Sequence, residues 1–203
     1  MNLDNIFPLI VPRSYYTEGA WELPHQQFNN KEFLLTWVFF NSPGAMTYIN
    51  KNEFSELNEN NNGWQQKAFE NLRHSITNKE NFFTHEGTMR DGKGKKFLVF
   101  MHSDGIGSSR ILLSHELSKA FPEGYYVAFP DRSCGLVMSS AVSGDELKEI
   151  KQLINNMYKN ATTAMSGQLY TSGNFLLPAE WLLPMDEDFS NTLIDKARKA
   201  IGV

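Results

Sequence analysis

The sequence predicts an α+β fold: a mixed or antiparallel β-sheet built from hairpins and packed by three to four amphipathic helices. Three observations carry that prediction. Stretches rich in aromatic and β-branched residues come in pairs separated by turn residues, which is hairpin patterning. Between the pairs, apolar positions recur at helical spacing. Finally, a chain of 203 residues that is 41% hydrophobic is long enough to bury most of its apolar surface around one core.

In chain order, residues 1–30 read as an irregular N-terminal arm. Pro8, Pro12 and Pro24 each fix φ and bias the preceding residue away from helix, and little periodicity survives between them. Residues 31–203 read as a single α+β domain. The stretches 34–40 and 45–49, with Asn41-Ser42-Pro43-Gly44 between them, predict a hairpin. After an Asn-rich stretch at 58–63, Trp64, Ala68, Phe69, Leu72 and Ile76 predict a helix, with Arg73 and His74 at the favourable end of its dipole. Strands at 81–89 and 96–102 flank residues 90–95, where Asp91-Gly92 and Gly94 suit a tight reversal. Ile106, Leu113, Leu117, Ala120 and Phe121 share one helical face, ended by Pro122-Glu123-Gly124. A hairpin of 125–129 and 135–139 follows. The capping box Ser143-Gly144-Asp145-Glu146 then opens a helix expected to bury Leu147, Ile150, Leu153, Ile154, Met157 and Tyr158. Short strands at 168–172 and 175–177 precede Pro178, and a last helix at 187–201, acidic at its start and basic near its end, is closed by Gly202. The stretches 34–76 and 125–160 thus share a hairpin-then-helix architecture.

Charge and cysteine content narrow the function classes. Lys plus Arg number 19 against 23 Asp plus Glu, a net charge of -4 without long single-sign blocks, so there is no basic footprint for nucleic acid or an anionic membrane. The one cysteine, Cys134, excludes an internal disulfide framework and any multi-cysteine metal cluster, and it fits a reducing cytoplasm. The longest apolar stretch, 33–40, spans eight residues, against the roughly 20 a bilayer requires, and residues 1–13 lack the basic start of a signal peptide. The expected setting is cytoplasmic, with no nucleic-acid and no membrane partner. The five histidines never take helical metal-ligand spacing, so neither a metal nor another cofactor is expected. Cys134 reads as an inert small hydrophobe rather than a nucleophile, and no Gly-x-Ser-x-Gly elbow is present.

The segment richest in chemistry is 100–110, a strand end followed by Asp104, Gly105, Gly107, Ser108, Ser109 and Arg110. A helix N-terminus there offers unpaired N–H groups to an anion. Alternatively, Asp104 or Ser108 caps the helix and the glycines permit the turn. There is no Gly-Lys-Ser/Thr of a P-loop and no full dinucleotide fingerprint. If 96–102 and 125–129 run parallel through a right-handed crossover, both end on one sheet edge, bringing Asp104, Ser108, Ser109 and Arg110 towards Asp131, Arg132 and Ser133. Two carboxylates and two guanidiniums then either hold a phosphorylated or carboxylated ligand or neutralise one another as structural ion pairs, the simpler reading. As an anion site, the crevice requires Arg110→Ala and Arg132→Ala each to abolish a ligand-induced rise in melting temperature while leaving the free protein folded. Three functional readings result. The first is a non-catalytic binding or regulatory domain for a protein or small anionic ligand. The second is an enzyme acting on a phosphorylated or carboxylated metabolite, and the third a toxin-neutralising or assembly accessory protein.

Ile49-Asn50-Lys51-Asn52-Glu53 with Trp64 and Ala68-Phe69-Glu70-Asn71-Leu72 are followed by Asp104-Gly105 with Ser109-Arg110-Ile111-Leu112-Leu113. Val127-Ala128-Phe129-Pro130-Asp131-Arg132 and then Leu169-Tyr170 come next. In this order the motifs resemble the bacterial YtpQ-like family, a domain of unknown function, over about residues 34–177. The matching family segments are Ala-x-x-Asn-Leu, Asp-Gly-x-x-x-Ser-Arg-x-Leu-Leu and Val-Ala-x-Pro-x-Arg-Asp. The chain departs from them at Ser133, where the family carries Asp, and at Gly107, where it carries an acidic residue. Both departures remove carboxylates from the crevice and speak against a shared acid/base or metal chemistry. The resemblance implies a fold neighbourhood and a bacterial cytoplasmic setting, and it implies no activity.

Overall fold

Alternating burial and local caps produce two antiparallel sheets, described over residues 1–18, 23–42, 45–77, 83–88, 94–101 and 104–201 of a computed structural model. Strands β1 (Ile6–Pro12), β2 (Gln26–Gln27), β3 (Phe33–Ser42) and β4 (Ala45–Tyr48) form the first, with β1 on one edge of β3 and β2 and β4 on the other. Strands β5 (Phe83–Thr88), β6 (Gly94–Met101), β7 (Tyr125–Asp131), β8 (Cys134–Ser139) and β9 (Tyr170–Thr171) form the second, in the order β5-β6-β8-β7-β9. The helices are α1 (Ser14–Glu18), α2 (Lys51–Asn60), α3 (Trp64–Thr77), α4 (Ser114–Ala120), α5 (Gly144–Lys159) and α6 (Glu187–Ile201). The class is α+β, with antiparallel pairing throughout and two sheets where one was expected. No helix among the described residues is long and apolar enough to cross a membrane.

The expected hairpins are present as β3–β4, β5–β6 and β7–β8. Pro43 and Gly44 of the first turn, residues 81, 82, 89 and 90–93 of the second hairpin, His102 and Gly202 lie outside the described residues. Residues 98–100 of β6 and the strands β7 and β8 are buried on both faces and alternate between two apolar clusters. Leu98, Phe100, Val127, Phe129 and Val137 join the main core with Trp37, Trp64, Phe69 and Leu72, while Val99, Ala128, Leu136 and Met138 face Ile150 and Ile154 of α5. Each Val, Leu, Ile, Phe and Met among them contributes roughly 1.5–3 kcal/mol by leaving water.

The irregular arm is corrected: it contains β1, paired with β3 from Ile6↔Phe39 to Pro12↔Phe33, with Ile6, Leu9, Ile10 and Val11 buried. The reason lies in parity. Pro8, Ile10 and Pro12 share one phase of the strand, and the Ile10 N–H points away from β3 to Ser109 Oγ at 3.0 Å. Both prolines therefore put their missing N–H on the open edge, where no ladder bond is lost.

Other elements depart from expectation for local reasons. The Asn-rich stretch begins in the last turn of α2, a helix opened by a capping box in which Asn50 accepts from Asn52 and Glu53 N–H groups while Glu53 reaches back to the Asn50 N–H. The capping box at Ser143 and Glu146 forms as expected, but α5 buries only a narrow stripe at Ile150 and Ile154, with Leu153 and Tyr158 exposed. The expected helix over 106–121 is split into a 3-10 turn, Gly107–Leu112, and α4. Ser172–Phe175 is also a 3-10 turn, so no strand forms at 175–177. The crossover is corrected as well: β6 and β7 do point the same way, because each is antiparallel to β8, but β8 lies between them.

Candidate functional site

With β6 and β7 co-oriented, the residues after each emerge on one sheet edge, and two glycines let the two segments touch. Gly105 takes φ +76°, a left-handed conformation open to glycine at little cost. Gly107 is needed for a different reason: a Cβ there would stand 1.9 Å from the Ser133 carbonyl oxygen and 2.9 Å from that of Phe100. The Ser108 N–H donates to the Arg132 carbonyl at 3.0 Å. The juxtaposition of 104–110 with 131–133 expected from sequence therefore exists, but most of its side chains are consumed by the fold.

Arg110 is completely buried. Its Nη2 donates to Asp104 Oδ2 at 2.6 Å and its Nη1 to Asp104 Oδ1 at 3.4 Å, while Nε and Nη2 also donate to Ser75 Oγ at 3.2 and 3.0 Å. Asp104 Oδ1 in turn accepts the Ile106 N–H at 3.0 Å, tightening the turn before the 3-10 segment. This closed ion pair removes Arg110 from the list of groups available to a ligand. Ser109 Oγ accepts the β1 edge N–H of Ile10, as described, and Ser108 Oγ is buried without a hydrogen-bond partner among the described residues. Asp131 Oδ1 accepts the Ser133 N–H at 2.8 Å and its Oδ2 the Thr163 N–H at 2.7 Å, so this carboxylate clamps its own turn to the loop at 161–166.

Arg132 differs from all of these. Its side chain lies against Gly105, where a Cβ would stand 3.5 Å from Nε, and it donates to the Tyr48 hydroxyl. Its Nε is buried without an acceptor, and among the described residues no carboxylate pairs with it. Burial raises the Tyr48 pKa, an effect the neighbouring Arg132 charge partly offsets and Tyr15 adds to.

Catalytic groups are scarce around this edge. Cys134 is buried, and burial, reinforced by the Asp131 charge, pushes its thiol up to about 12, so it stays protonated and unreactive. No group of three or more His, Cys, Asp or Glu side chains among the described residues is placed to hold a metal ion. Sequence reasoning missed Ser75 and Tyr48, which reach Arg110 and Arg132 from distant elements, and the buried ion pair of Arg73 with Glu116, whose Arg73 Nη2 also donates to the Pro184 carbonyl at 2.9 Å. It also missed a chain of hydroxyls from Ser166 through Tyr170 to Glu32. No local pattern signals these contacts. The chain matches no protein-family model, no curated protein and no solved structure, so the geometry is the guide to its role.

Proposed function

We propose that this chain is a non-catalytic binding domain whose ligand is a small anion, phosphate- or carboxylate-bearing, held through Arg132. The supporting observation is the unequal treatment of two guanidiniums on one sheet edge: Arg110 is neutralised by Asp104, and Arg132 has no carboxylate partner among the described residues. A half-buried guanidinium has lost part of its hydration, and an anion accepting from its solvent-facing N–H groups supplies charge-assisted hydrogen bonds in its place. The enzyme reading loses support because Asp104 and Asp131 are committed to Arg110 and to backbone N–H groups, which leaves neither carboxylate of the cluster as a general acid or base. The motif order that resembles the YtpQ-like proteins supports a cytoplasmic bacterial setting for this role.

Thermal unfolding in the presence of inorganic phosphate, and of acetate and citrate, tests the reading. At least one of these anions raises the melting temperature of the wild-type protein, and Arg132→Ala loses the rise while its melting temperature in plain buffer changes little. A rise of equal size in Arg132→Ala, or a wild-type protein indifferent to all three anions, overturns it.

A further inference from the structure

A depression of about 410 Å³, not lined by Arg132, opens between the C-terminal half of α5, residues 165–168 and the start of β3. Glu32, Asn155, Tyr158 and Ser166 line it, with Phe33 and Met165 as apolar floor. The polar groups are ordered by a directed chain of hydrogen bonds. A carboxylate only accepts, so Tyr170 gives its single hydroxyl proton to Glu32 Oε2 at 2.7 Å. In the 2.7 Å contact between Ser166 and Tyr170 the serine is therefore the donor, and Ser166 Oγ itself accepts the Gln168 N–H at 3.1 Å. Ser166 and Tyr170 are each 7% exposed, and Tyr170 is stacked on Phe129 with ring centroids 5.4 Å apart, so the anchor of the carboxylate is rigid.

Gly167 brings the opposite wall close. A Cβ there would stand 3.2 Å from both Asn155 Oδ1 and the Tyr158 ring, so the loop passes directly beneath these α5 side chains. Glu32 pairs with no Lys, Arg or His side chain among the described residues, and no basic residue lines the depression. One oxygen of a fixed carboxylate, an amide and an aromatic ring over an apolar floor form an acceptor-rich hollow with an uncompensated negative charge. Carboxylates and aromatic faces both favour cations.

We infer that this depression binds an organic cation, an ammonium or guanidinium group on a short apolar stem, with Glu32 as its counter-charge and Tyr158 and Asn155 as its flanks. Two sources share this chemistry: a free amine, or a Lys or Arg side chain presented by a partner protein. The site is separate from Arg132, so the inference stands or falls independently of the anion reading.

The test is an NMR titration of the full chain, following backbone amides. The probes are n-butylammonium, n-butylguanidinium, uncharged n-butanol and a short lysine-containing peptide with blocked termini. The cationic probes shift the amides of Asn155, Gly167 and Gln168 saturably, butanol does not, and added salt weakens the response. Glu32→Gln, which still offers Tyr170 an acceptor, weakens binding by about fivefold or more, whereas Arg132→Ala leaves it unchanged. Tighter binding of the peptide than of butylammonium identifies a partner's basic side chain as the source, and the reverse order identifies a free amine. Equal responses to butanol and butylammonium, undiminished binding by Glu32→Gln, or shifts confined to other residues overturn the inference.

Discussion

The 104–110 segment and the 130–134 turn each deliver one arginine to the same sheet edge, and the fold treats the two in opposite ways. Arg110 is sealed from solvent between Asp104 and Ser75, its charge answered inside the protein. Arg132 lies half-buried against a glycine, answered by a tyrosine hydroxyl. Sequence alone makes the pair look equivalent, since each arginine stands next to a serine and has an aspartate upstream, six residues before Arg110 and immediately before Arg132. The difference arises from long-range packing: α3 brings Ser75 to one, and β4 brings Tyr48 to the other. A guanidinium becomes a structural tie or a binding group according to what its surroundings already satisfy.

The largest effect that would break this contrast is at Arg110. Arg110→Ala leaves Asp104 and Ser75 without their buried partner and is expected to cost about 3–5 kcal/mol in urea unfolding. A loss below about 1 kcal/mol would make Arg110 as dispensable as a surface arginine and erase the distinction. Gly105 tests the boundary between the two regions, because its neighbour Asp104 serves Arg110 while its own backbone supports Arg132. Gly105→Ala forces a side chain into φ +76° and costs about 1–2 kcal/mol, with any response to phosphate retained, since its Cβ meets Arg132 only at ordinary contact distance. Failure of that variant to respond to an anion that wild type binds would show that the loop, rather than Arg132 itself, makes the site.

The smallest effect is a titration. Tyr48 and Cys134 have folded-state pKa values raised above their ordinary 10.0 and 9.0, so the unfolded chain releases these protons first and stability falls as pH climbs beyond about 9. Arg132→Ala removes the positive charge that moderates Tyr48, so its phenol ionises at still higher pH, read by ultraviolet absorbance. An unchanged Tyr48 titration would place the two groups too far apart to interact.

How much of this was legible follows from the range of the interactions. The hairpins at β3–β4 and β7–β8 and the helices α3, α5 and α6 are written in periodicity, turn residues and caps that act within a few positions of one another. Strand β1 was obscured because proline reads as a breaker unless the strand is known to lie at an edge, and the edge exists only once β3 has paired with it. The juxtaposition of Asp104 and Arg110 with Asp131 and Arg132 was anticipated through strand direction, although through a crossover that omitted β8. What each group would touch was not legible, because Ser75, Tyr48, Ile10 and Thr163 approach from far along the chain. The hydroxyl chain ending at Glu32 was invisible for the same reason, with 138 residues separating Glu32 from Tyr170.

The contact between Gly107 and Ser133 also limits which residues the chain accepts at 107. Here one backbone is pressed directly against the other. A residue with a side chain at 107 has no room until the 131–134 turn has withdrawn. The edge of the sheet is therefore closed by bare backbone at 107, and any side chain there has to open it.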